Sequence, residues 1–72
     1  MDRSMEERHL ALANKHIEDG QARVDRQHEL VEFLRARGDS TTKAEDFLRL
    51  LQDTLASWQE QRDLIVAELA RR

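Results

Sequence analysis

The apolar side chains of this chain recur at alternating spacings of three and four residues, and the repeat is interrupted once. The first run reads Leu10, Ala13, Ile17, Gly20, Val24, Gln27, Val31, Leu34, and the second Ala44, Leu48, Leu51, Leu55, Trp58, Arg62, Ile65, Leu69. This alternation returns a side chain to the same face of a helix on each turn, and over about three to four heptads it specifies a coiled-coil seam. Between the runs lies Gly38-Asp39-Ser40-Thr41-Thr42, where a residue suited to a left-handed helix end precedes a cluster of N-cap formers. Arg35 and Arg37 precede it and Glu45 and Asp46 follow it, each sign where a helix dipole favours it. The pattern predicts an all-α fold over residues 1–72. Helix one is expected over about 3–37, a loop over about 38–41 and helix two over about 41–70. A loop this short forces an antiparallel hairpin, roughly 45 to 50 Å long at 1.5 Å per residue.

Size limits what such a hairpin does alone. Twenty large apolar residues and eight alanines among 72 suffice for one seam between helices. A chain this short buries only about 60% of its unfolded surface and usually needs a staple or a partner. The sequence has no cysteine, so disulfides and thiolate metal sites are excluded and assembly is the remaining route. Twelve basic against fifteen acidic residues give a net charge of -3, which disfavours a nucleic-acid or acidic-membrane binder driven by charge alone. The acidic opening Met1-Asp2-Arg3-Ser4-Met5-Glu6-Glu7-Arg8 does not read as a secretory signal and no apolar run is long enough to span a bilayer, so a cytoplasmic location is expected.

Three seam positions break the apolar rule. Gly20 costs a helix about 1 kcal/mol relative to Ala. It is expected to make room for Trp58, which folding about the loop brings approximately level with Gly20 and Val24; a break or kink at Gly20 is the alternative. Gln27 is expected to set register and Arg62 to extend its charge towards Glu18, Asp19 or Asp63. Thr42 and Glu45 have capping-box spacing, with Asp39, Ser40 and Thr41 as competing caps. Asp19 with Arg23, and Glu45 with Arg49, are charge-matched at the four-residue spacing.

A second stripe flanks the seam. With Leu10, Ile17, Val24 and Val31 as a positions, nine residues mark the neighbouring flank, Met5, His9, Leu12, His16, Leu30 and Phe33 on helix one and Phe47, Leu50 and Leu64 on helix two, where Thr54 and Gln61 lie among them. In an antiparallel pair both flanks fall on one face. The opposite face carries Glu7, Asn14, Glu18, Gln21, Asp25, His28, Glu32 and Arg35 with Glu45, Arg49, Gln52, Gln59 and Asp63 and is expected to be solvated. Soluble monomers seldom expose a continuous apolar patch, so these nine residues are expected to form an oligomer interface. Two layers face to face make a four-helix bundle, most simply a homodimer. An antiparallel dimer matches the apolar cluster at the loop end to that at the open end; a parallel one, or another helical protein as the second layer, is the alternative.

Candidates for chemistry are few. Glu6-x-x-His9 has the spacing used by di-iron bundles, and His9 and His16 stand seven residues apart, which makes Glu6, His9 and His16 the candidate metal ligands. The other ligands are missing, and no metal or cofactor is expected. Ser4, Ser40 and Ser57 lack an activating base and Gly20 and Gly38 form no phosphate cradle, so no enzymatic activity is expected. Lys15, Arg23 and Arg26 are interspersed with acids, and exposed aromatics for base stacking are lacking, so RNA binding of the helical-hairpin dimer type is the secondary reading.

The pattern His16-Ile17-x-x-Gly20-x-x-x-Val24-x-x-Gln27-x-x-x-Val31-x-x-Leu34, followed by Gly38-x-Ser40, Ala44-x-x-x-Leu48-x-x-Leu51 and Thr54-Leu55, resembles short uncharacterised helical-hairpin proteins of alphaproteobacteria, rhizobial relatives in particular. The similarity spans about His9 to Leu69 and implies a stand-alone cytoplasmic hairpin, with no activity or site to carry over. The expected role is that of a small structural, adaptor or regulatory protein–protein interaction module.

Overall fold

The computed structural model describes residues 3–71; Met1, Asp2 and Arg72 lie outside the described residues. Two helices, α1 (Arg3–Ala36) and α2 (Thr42–Ala70), pack against each other as a hairpin of 54 × 14 × 13 Å. No described residue is in a strand. Neither helix is long and apolar enough to cross a membrane. The sequence holds no proline, so nothing removes a backbone donor from either helix, and α1 runs unbroken through Gly20.

The turn is built by the backbone. Gly38 has φ +76°, the left-handed conformation in which a Cβ is costly. Its N–H donates to the Arg35 carbonyl at 3.0 Å and the Asp39 N–H to the Leu34 carbonyl at 3.0 Å, the paired bonds of a Schellman cap. At the turn α1 ends and α2 begins one residue inside the expected limits, and the cap of α2 is Thr41, one of the competing caps. The expected capping box does not form. The Thr41 carbonyl accepts the Glu45 N–H at 2.8 Å, and its hydroxyl donates to the Glu45 carboxylate at 2.9 Å, leaving that carboxylate turned away from the backbone N–H groups.

Along the seam Ala13, Val24, Val31 and Leu55 are buried, while Leu10, Ile17, Leu34, Leu48, Leu51, Trp58, Ile65 and Leu69 are half-buried. No large side chain among the described residues is fully enclosed, because two helices cover a seam from one direction each and nothing closes its flanks. Gly20 does face a large side chain, but that residue is Leu55. A Cβ at Gly20 would lie 3.3 Å from Leu55 Cδ1, whereas the Trp58 ring packs on His16, one turn nearer the open end, with centroids 4.1 Å apart. The register therefore differs from the expected one by roughly one helical turn. Gln27 marks the same register by donating from Nε2 to the Ala44 carbonyl at 2.9 Å, and Arg62 pairs with Asp63 at 2.7 Å.

Replacing Gly38 by Ala forces a side chain into the left-handed region and is expected to destabilise the hairpin by about 1 kcal/mol. Leu55→Ala is expected to cost more, about 2 to 3 kcal/mol, since it empties the tightest point of the seam. Urea titrations followed by circular dichroism at one fixed protein concentration check both.

Candidate docking face

The two flanks of the seam differ in chemistry. On one, Arg35 joins the helices, with guanidinium nitrogens 2.9 Å from Glu32 and 2.7 Å from Glu45, and Gln21 donates to Asp25 at 2.9 Å within α1. Glu45 is thus taken by Arg35 and Thr41, and Arg49, its expected partner, pairs with Asp46 instead. Asp19 is likewise 3.7 Å from Lys15 rather than bridged to Arg23. Exposed pairs of this kind contribute about 0 to 1 kcal/mol each, so this flank is held closed only lightly.

The other flank carries the large apolar side chains. Met5, Leu12, Leu30, Phe33, Phe47, Leu50 and Leu64 are exposed by 43% to 71%. Val66, 45% exposed, also lies outside the seam, but one residue past Ile65, towards the opposite flank. Between the helices this face holds four shallow concavities of about 240 to 330 Å³. Neighbouring ones share walls: Arg23 and Leu51 belong to the first and second from the loop, His16 and Trp58 to the second and third, and His9, Gln61 and Ile65 to the third and fourth. Together they form one groove along the hairpin. Its loop end is lined by Arg23, Arg26, Leu30 and Phe47, its open end by Glu6, His9, Leu64 and Glu68.

His9, His16 and Glu6 take different places on this face. His9 is exposed, and His16 is half-buried with its ring on Trp58 and a buried Nδ1 that has no hydrogen-bond partner. Glu6 is buried, 4% exposed. Its burial is legible in retrospect: it precedes Ala13 by seven residues and so continues the seam, but its acidic side chain hid it from a reading of apolar spacing. Among the described residues, no group of three or more His, Asp or Glu side chains converges to hold a metal ion. Arg23 and Arg26 make no hydrogen bond or ion pair with any described residue. The Arg37 guanidinium lies 5.3 Å from the centre of the Phe33 ring, a cation–π contact that covers part of that side chain.

Comparison with protein-family models, with curated proteins and with solved structures returns no match to this chain.

Trp58 is the only tryptophan, which makes the His16 contact directly observable. His16→Ala is expected to shift Trp58 fluorescence to longer wavelength and to lower stability by roughly 1 kcal/mol as the ring contact is lost. An unchanged emission spectrum would show that the two rings do not pack in solution.

Proposed function

We propose that this chain is a protein–protein interaction module, structural, adaptor or regulatory in role, whose apolar face docks on a second copy to complete a four-helix bundle. The observation that carries the reading is the row of exposed apolar side chains from Met5 to Phe33 on α1 and from Phe47 to Leu64 on α2, set along one continuous groove. Its size supports the reading. The accessible surface is 5467 Å², against about 4650 Å² for a compact monomer of this mass. The radius of gyration is 16.4 Å, against about 11 Å for a compact domain of this length. The excess of roughly 800 Å² belongs to the whole elongated layer and is of the order of what one partner contributes to a standard protein interface. Binding is the role such a face serves, and a cytoplasmic setting is part of this reading.

Light scattering coupled to size exclusion, over a concentration series and with helicity followed by circular dichroism, tests the reading. The native chain is expected to run as a dimer. Phe33→Ala combined with Phe47→Ala is expected to weaken association at least tenfold, since two large interfacial aromatics are truncated. A helical chain that stays monomeric at every concentration overturns the proposal, as does a double variant that dimerises like the native chain.

A further inference from the structure

The two-fold symmetry of a self-complementary interface requires that if residue i meets j on the partner, then j meets i. Every two-fold pairing satisfies that rule, and the chemistry of the opposed residues distinguishes one orientation from another. Two hairpin layers stack face to face in two ways. With the dyad along the hairpin, the loops lie together and α1 lies over the partner's α2. With the dyad across it, the loops lie at opposite ends, α1 lies over the other α1 and α2 over the other α2.

Gly20 and Leu55, in contact at the middle of the two helices, fix the level at which a crosswise dyad overlaps the layers fully. About that level four pairs on the face are complementary in charge or apolar character, while Arg26 comes opposite His16 and Leu50 opposite Gln61. On α1, Asp19 comes opposite Arg23 and Leu12 opposite Leu30, each pair centred on residue 21. On α2, Phe47 comes opposite Leu64 and Lys43 opposite Glu68, each pair centred between residues 55 and 56. Lys43 belongs to this face because it precedes Leu50 by seven residues, and like Arg23 it makes no bond to any described residue. The two centres differ in level by only about 2 Å, given the Gly20–Leu55 register and a rise of 1.5 Å per residue.

The lengthwise dyad also matches apolar groups, bringing Leu12 near Leu64 and Leu30 near Phe47, but it gives the opposite result for the charges of Arg23 and Lys43. It sets Arg23 over the stretch of α2 around Leu50 and Thr54, and Lys43 over Phe33, so that both cations lose water to apolar neighbours without gaining a carboxylate. Burying a cation without a counter-charge is strongly unfavourable, and this asymmetry selects the orientation.

We infer that the occupant of the face is a second copy of this chain in antiparallel orientation, with its loop over the open end of the first, paired through Asp19 with Arg23 and Lys43 with Glu68. The inference rests on the self-association proposed above and adds its geometry. A spin label on Ser40→Cys tests it, because Ser40 is exposed in the loop, away from the face, and the chain has no other cysteine. Pulsed electron–electron resonance and the solution mass are measured on the same labelled sample. A dimer with labels roughly 50 Å apart, about one hairpin length, is the expected result. A dimer with labels within about 25 Å, as two layers some 10 Å apart with adjacent loops require, overturns the orientation while leaving self-association standing. A monomer by mass with no dipolar coupling overturns both.

Discussion

The close approach of α1 and α2 at Gly20 and Leu55 governs the rest of the hairpin. A Cβ at Gly20 would lie 3.3 Å from Leu55 Cδ1, so the missing side chain on one helix leaves the space that Leu55 fills at the middle of the seam. That contact, the Gly38 cap and the Gln27 bond to the Ala44 carbonyl select one register. The helical cost of Gly20, about 1 kcal/mol, is offset by what its absence of a side chain permits, the burial of a whole leucine. Which residue stands level with which, including His16 with Trp58 and Arg35 with Glu45, follows from the register.

A second constraint comes from geometry. A two-helix layer has a seam but no inside, and so few of its described residues are buried: Glu6, Ala13, Val24, Val31 and Leu55. The two flanks resolve this differently. One is closed over by side chains that bond across and along the helices; the other leaves large apolar groups beside an open groove. Because weak exposed ion pairs cannot hold such a layer by themselves, stability and self-association become one question in the proposed bundle, and the folded state would depend on protein concentration.

Much of the architecture was legible from spacing alone. The alternation of three and four identified the seam, because helix geometry maps that period onto a line of contact whatever the partner, and the Gly38 cluster marked the turn because few residues tolerate its backbone. Glu6 was missed because a carboxylate in the seam carries no apolar signal. The ion pairs were misassigned for another reason: Asp19 and Glu45 each had several cations within reach, and local spacing cannot rank a neighbour on the same helix against one across the hairpin or a hydroxyl in the turn.

The sequence by itself determined two helices, one turn, and the division of the hairpin into a polar and an apolar face, since each of these depends only on local backbone preference and on which side chains avoid water. Only the tertiary structure decided that Leu55 and not Trp58 meets Gly20, that His16 covers the tryptophan, and that the shallow concavities beside the seam join into one groove. A shift of one helical turn preserves every heptad position, so these pairings are degenerate in the sequence pattern and are settled by side-chain volume and by the geometry of the turn.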